Sequence, residues 1–578
     1  MKRFLGCVLG AVLVVAGGAL LVVECLDHNS KFIFFGYVFA SLIALGGILL
    51  IWASLARYRG GLWSAAGYLL AGAGVVCAVS SLDDFLQKIG RPSPKDFSLC
   101  SILCMLGAGF LVHGHIRHRA AAQGFAGTSG SRSKPLVPVW VGCLLSGIFF
   151  WHWISTELAL KSFVEHSRRA GLPMDLGELI RMRTAVGADR NAAVLYSQAF
   201  TNLTKRAEIS MLATNLVCST EISATDLNAV AELTKRNRKV LELLHRAATF
   251  AQSNYSLQTN ETPASLTRQF GPAADCADLL FLEAVQRSTS GNSAAAIDSI
   301  VTMLRLGDSL ANEPSFAAQN RRGFCNSLAF DATARLLAQT NLEQSILARL
   351  AAAFRTTEET TDYTGAYLNE LCEALQAEPS RCIDVEFSNR PFVAAAYKAV
   401  VLITDREAAD KLHYGNNTLA YLKALKNPYP LRLQMLPDPN QALAYANRHG
   451  YFVSAYPLAW RNALAMSQAE NCARLRVVQG ALAAERHRLT RGDFPQRLQD
   501  ISPQIASSAL EDPFDGYPLR YSSTAKGFLI YSVGKDRKDN AGQPRRPDQL
   551  WTDSYDISIR VQHPDPASPS PNITSTQR

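Results

Sequence analysis

Two pairs of neighbouring carboxylates, Asp384 with Glu386 and Glu358 with Glu359, have the residue type and spacing for general acid–base chemistry. Placed in a cleft, one carboxyl of such a pair could donate a proton while the other accepted one. On a solvated helix face they would only repel each other, which is the commoner fate of adjacent acids. His113, His115 and His118 could hold a haem or a metal, but beside Arg117 and Arg119 they read better as basic interfacial residues. Cys218, Cys276, Cys325, Cys372, Cys382 and Cys472 contain no C-x-x-C pair, so zinc lacks a ligand set. Cys372 and Cys382 could close a short loop in an oxidising compartment. The phosphate-cradling G-x-x-x-x-G-K-[ST], the dinucleotide G-x-G-x-x-G, H-E-x-x-H and G-x-S-x-G are all absent. No catalytic constellation emerges, and the expectation leans away from an enzyme.

The chain of 578 residues exceeds what one core usually organises, so two or three units are expected. Its net charge of +9 is spread along the sequence. No dense Lys/Arg block with interleaved aromatics is present, which argues against a nucleic-acid partner. Residues 1–155 are dominated by Leu, Val, Ala, Gly and Phe, whereas the remainder has an ordinary globular composition.

A helix needs roughly 20 apolar residues to cross a bilayer, because its backbone must satisfy itself there. Five stretches meet or approach that length: 4–23, 32–55, 62–82, 97–116 and 136–154. Lys2 and Arg3 precede the first, but no small-x-small cleavage site follows it, so it reads as a retained helix. Arg57 and Arg59, then Arg117, Arg119, Arg132 and Lys134, occupy the loops on the same side as the N-terminus. The positive-inside rule then places the N-terminus inside and the large C-terminal region outside the inner membrane. Ionisable residues are nearly absent from the spans, which suits an anchor in lipid better than a carrier.

From 156 to 460 the apolar residues follow a helical period. Ile297, Ile300, Val301 and Leu304 form one stripe behind Asn292 as N-cap. Ser290-Gly291 separates that stripe from the apolar segment 279–285, which predicts a helical hairpin. Ile346, Leu347, Leu350 and Phe354 predict another helix, with Asn341 as its cap. The pattern suggests helical pairs stacked in the manner of tetratricopeptide arrays, without a fixed repeat. Such arrays bind protein partners, here other envelope proteins. The segment Asp189-Arg-Asn-Ala-Ala-Val-Leu-Tyr196 is similar to one found in uncharacterised bacterial membrane proteins.

The stretch 461–561 is more specific. A helix to Arg491 carries Leu475, Val478, Leu482 and Leu489 on one stripe and stops at Gly492. Short strands are expected at Leu519-Arg-Tyr521, Phe528-Leu-Ile-Tyr531 and Tyr555-Asp-Ile-Ser-Ile559. The ordered set Gly492-Asp-Phe-Pro495, Asp512-Pro-Phe-Asp-Gly-Tyr-Pro-Leu-Arg-Tyr521, Tyr531-Ser-Val-Gly-Lys-Asp536 and Asp556-Ile557 resembles the C-terminal half of type II secretion major pseudopilins. The resemblance implies a long helix on a small antiparallel sheet, with Phe494, Leu519, Tyr521 and Tyr531 inward. The N-terminus has no prepilin-peptidase site, so the module is joined here to a different membrane protein. The family also binds calcium in the loop after S-x-G-x-D, through the oxygen ligands a hard cation prefers. Asp536, Asp539 and Asp556 are the ligands that this resemblance implies, with Asp548 and Asp553 between them.

The expected fold is therefore an α-helical membrane domain of about five spans over 1–155 and an all-α helical array over 156–460. A small α+β module over 461–561 and a disordered tail over 562–578 complete it. The expected role is protein binding or scaffolding in the envelope. The alternatives are an envelope hydrolase with an acidic site, or a sensor or transporter component.

Overall fold

The computed structural model describes residues 154–183, 186–219, 222–255, 263–339, 342–377, 406–501, 510–524, 526–544 and 555–563. The five expected spans, up to the last residue of the fifth, lie outside the described residues, as do Asp384 and Glu386. Among the described residues no helix is long and apolar enough to cross a membrane. The chain divides into two compact units, one of 1–161 with 378–409 and one of 162–377 with 410–578.

The second unit is a helical array followed by a three-stranded sheet. Its helices are α1 (Leu176–Met182), α2 (Ala192–Asn202), α3 (Arg206–Cys218), α4 (Ala224–Arg236) and α5 (Arg238–Ala247). Then come α6 (Pro263–Thr289), α7 (Ser293–Asp308), α8 (Phe316–Gln339), α9 (Gln344–Glu359) and α10 (Thr364–Gln376). After α11 (Arg406–Leu425), α12 (Leu431–Gln434) and α13 (Pro439–His449), the 40-residue α14 (Phe452–Arg491) leads to β1 (Arg520–Thr524), β2 (Gly527–Ser532) and β3 (Ile557–Gln562).

The hairpin of α6 and α7 forms as expected. The Asn292 side chain accepts the Ala295 N–H at 3.0 Å, and Ile297, Ile300 and Leu304 are buried. Gly291 turns the chain at φ +77, where a side chain would be strained. The expected cap of α9 is corrected: α9 starts at Gln344 with Glu343 at its N-cap position, and Asn341 lies outside the described residues. Helices of 10, 27, 16 and 24 residues succeed one another from α5 to α8, too unequal for a fixed repeat. Helices α6, α7 and α8 pack against one another, and α6 also packs on α3 and α4. Glu358, one of the adjacent acids, accepts from Arg476 at 2.9 Å and Gln479 at 2.6 Å, so it pins α9 to α14. Cys372 carries a free thiol, 3.5 Å from the Pro173 carbonyl.

Asp278 is one of several polar residues buried on α6. It is 3% exposed, and burial, aided by the charge of Asp275, pushes its carboxyl up to about 7 against the pull of Ser210. Between about pH 4 and pH 7 the folded chain thus holds a proton that the unfolded chain has lost, so this group makes stability fall as pH rises through that window. Asp278→Asn should raise stability at pH 8 by on the order of 2–4 kcal/mol and change it little near pH 4. Denaturant titrations of both proteins at the two pH values check this; equal shifts at both would refute it.

The sheet is antiparallel in the order β1-β2-β3, with Tyr521 opposite Ile530 and Ile530 opposite Ile559. Helix α14 lies on β2 and β3, and α8 touches β3. Leu475, Val478 and Leu482 are buried as expected, as are Phe494 and Leu519. Leu489 is not: at 39% exposed it sits in the last turn of α14. Tyr521 and Tyr531 are half-buried, and the Tyr531 hydroxyl reaches out to Asp539 at 3.0 Å. Gly492 ends α14 in the left-handed region, donating its N–H to the Arg488 carbonyl at 2.7 Å. β3 runs through Gln562, the residue at which the tail was expected to begin, and 564–578 lie outside the described residues.

The Asp512-Pro-Phe-Asp-Gly516 turn is a closed knot. The fully buried Asp512 carboxylate accepts N–H bonds from Phe514 at 3.0 Å and Val533 at 2.8 Å, and the Ser532 hydroxyl at 2.9 Å. Its carboxyl lies above the usual range because burial outweighs those bonds. Arg520 closes the outside of the turn on Asp515 at 2.5 Å.

Candidate functional site

A cavity of about 430 Å³ opens among the end of α1, the start of α2, the end of α7 and residues 250–254. Its construction begins with Asn191. That side chain caps α2 by accepting the Ala193 N–H at 3.1 Å, and it grips the facing segment through the Asn254 N–H at 2.9 Å and C=O at 2.8 Å. The Ala192 N–H adds a bond to the Gln252 carbonyl at 2.9 Å. Residues 189–196, singled out in the sequence, thus hold one wall, with Ala192 and the buried Tyr196 lining it. Burial drives the Tyr196 phenol well above its ordinary range, so it stays neutral.

The floor is charged and paired. Arg183 contacts Glu313 and donates to the Tyr255 carbonyl at 3.1 Å, while Glu313 accepts the Tyr255 N–H at 3.0 Å. Asp308 accepts the Thr357 hydroxyl at 3.0 Å and lies 3.3 Å from the fully buried Arg322. Its carboxyl is raised because burial outweighs the Arg322 charge. Arg305 stands apart. It is exposed, it helps hold the Asp308 carboxyl down through its charge, and it makes no ion pair or side-chain hydrogen bond among the described residues. Leu179, Val186 and Phe250 supply apolar wall. Among the described residues Asp308 is the one carboxylate lining this space, and it is already engaged, so the geometry suits binding better than paired-carboxylate hydrolysis.

A second polar cluster looks more catalytic than it is. The Thr302 hydroxyl, His245 and Glu283 form a chain with contacts of 2.8 Å on both ring nitrogens. Glu283 is also held by Arg287 at 2.6 Å and Ser299 at 2.8 Å. Thr302 is 4% exposed in the middle of α7, where a substrate carbonyl has no room beside it. The cluster cross-braces α5, α6 and α7.

The residues expected for calcium lie in the loop after β2. Asp556 accepts the N–H groups of Asn540 at 3.0 Å and Gly542 at 2.7 Å, and the nearby Asp539 charge raises its carboxyl further after burial. Asp539 accepts the Ala541 N–H at 2.9 Å, and Asp536 accepts the Lys538 N–H at 3.2 Å. These carboxylates close the loop on itself. Among the described residues no three His, Cys, Asp or Glu side chains are grouped to hold a metal ion. Asp548 and Asp553 lie outside the described residues, so the described residues alone do not complete a ligand set for calcium.

Sequence reasoning missed Arg305 and Asp308, one turn apart on α7, and Arg183, which follows α1 far earlier in the chain. No family model, curated protein or solved structure matches this chain.

Proposed function

We propose that the chain is a multi-span protein of the bacterial inner membrane whose helical region, on the outer side, binds a second protein. The observation that carries the binding reading is the cavity, whose walls are ordered by Asn191 and whose lining carboxylate is neutralised in place. The five apolar stretches and the Lys/Arg bias of their loops support the membrane reading, and their scarcity of ionisable groups supports an anchoring role. The helix-on-sheet packing of α14 and the Asp512 knot support a pseudopilin-like reading of the C-terminal module.

Two measurements test this. A periplasmic reporter fused after Arg578 should be active; activity only of a cytoplasmic reporter at the same point would overturn the orientation. Cross-linking in intact membranes should capture a partner on the wild-type chain. A Cβ at Gly365, on the cavity wall, would meet only Pro314, at 3.6 Å, so this backbone accepts a side chain. Gly365→Leu should therefore fold and lose the captured partner; undiminished capture would place binding elsewhere.

A further inference from the structure

We infer that the cavity takes the free C-terminal carboxylate of a polypeptide whose last residue is apolar, with Arg305 as the group that reads the charge. The inference rests on the protein-binding reading above and names what that site recognises.

Donors and acceptors around the cavity are out of balance. Among the lining residues, Arg183 Nε and Ser253 Oγ are buried without a hydrogen-bond partner among the described residues. The guanidinium of Arg305 is likewise unengaged there. An arginine nitrogen can only donate, and a hydroxyl always has a proton to give. The lining carboxylate is meanwhile engaged: Asp308 by Thr357 and Arg322. Behind the wall, Glu313 takes Arg183 and the Tyr255 N–H. The two orphaned atoms, Arg183 Nε and Ser253 Oγ, are sealed from solvent, so the charged donor open to this space is the exposed guanidinium of Arg305. A carboxylate brings acceptors only, in the planar arrangement that matches a guanidinium fork.

The charges are out of balance as well. Arg183, Arg305 and Arg322 stand against Asp308 and Glu313, which leaves one positive charge uncompensated, and it is the one on the exposed residue. Leu179, Val186, Phe250 and Tyr196 give the same cavity an apolar side. About 430 Å³ lies near the small end of the range for ligand pockets, which suits a terminal side chain with its carboxylate better than a folded surface. The amide side chains of Gln252 and Asn312, also in the lining, match the peptide groups that precede such a terminus and that a simple fatty acid lacks.

The test uses the purified full chain and an N-acetylated tripeptide ending in phenylalanine, as free acid and as C-terminal amide, with titration calorimetry as readout. The free acid should bind at one site at least tenfold more tightly than the amide, and its affinity should fall with added salt. Arg305→Gln, a change at an exposed position, should remove the preference for the acid and leave the amide unchanged. Arg305→Lys should keep part of it. Equal binding of acid and amide, or an unaltered preference in Arg305→Gln, overturns the inference. Octanoate or inorganic phosphate binding as tightly as the peptide acid overturns the polypeptide assignment. If Gly365→Leu abolishes partner capture while acid and amide bind alike, the protein-binding reading stands and this inference alone fails.

Discussion

Arg461→Met should be among the most destabilising single changes in the helical unit, at about 2–4 kcal/mol. The guanidinium is 1% exposed and donates to Thr418 at 2.7 Å and, more weakly, to Asn417 and Glu370 at 3.4 Å. It also lies over the rings of Tyr414, Tyr421 and Tyr367 at 4.2, 5.4 and 5.8 Å. Removing one partner of such a pair commonly costs about 3–5 kcal/mol because the other charge is left without compensation. Here the Glu370 side chain keeps 23% exposure, which softens the loss. The Glu370 carboxyl is raised by burial even with Arg461 present, and without it would rise further. The loss should therefore shrink as pH falls and the carboxyl takes up its proton. Glu370→Gln added to Arg461→Met should recover much of the stability. Denaturant midpoints of the two single variants and the double variant check the coupling; strictly additive effects would sink it.

Asp512→Ala should unfold the C-terminal sheet while leaving most helical signal in place. The substitution strands two backbone N–H groups and the Ser532 hydroxyl in a site that is fully buried. Each stranded donor costs about 1–3 kcal/mol, so about 3–5 kcal/mol in total is a moderate expectation. Asp512→Asn should rescue poorly, because its amide brings donors to a place that already has too many. Limited proteolysis with mass mapping reads the effect: new cleavage within 510–563 is expected, with 263–339 still protected. An intact cleavage pattern in Asp512→Ala would show that the turn holds without its carboxylate.

The hairpin of α6 and α7 was legible because its signals are local: a stripe at i, i+3, i+4 and i+7, an asparagine cap, a glycine break. The stripe Leu475, Val478 and Leu482 was legible for the same reason. Leu489 was not, because periodicity tells which face a residue is on and not where the covering partner ends. The cavity was hidden for a deeper reason. Its residues run from Leu179 to Gly365 and meet only when several elements pack, and no spacing rule spans such a distance. The segment 189–196 drew notice as a string, yet its meaning lies in Asn191 gripping Asn254, far along the chain. Arg461 served the sequence reading only as an approximate boundary. Tyr414 and Tyr421, two turns apart on α11, share the helix face that holds it and were a signal available to periodicity.

Helix α14 runs unbroken across residue 460, where composition suggested that one region ended and another began. Forty residues of α-helix span roughly 60 Å. At one end Val453 and Ser454 are fastened to Asp410. Midway, Arg476 and Gln479 are fastened to Glu358, and beyond them Gly480 brings the backbone so close to β2 that an added Cβ would lie 2.4 Å from Ile530. A rod clamped at three stations behaves as a beam. A push on α9 travels along it to the sheet, and a load hung on the sheet is carried back into the helices.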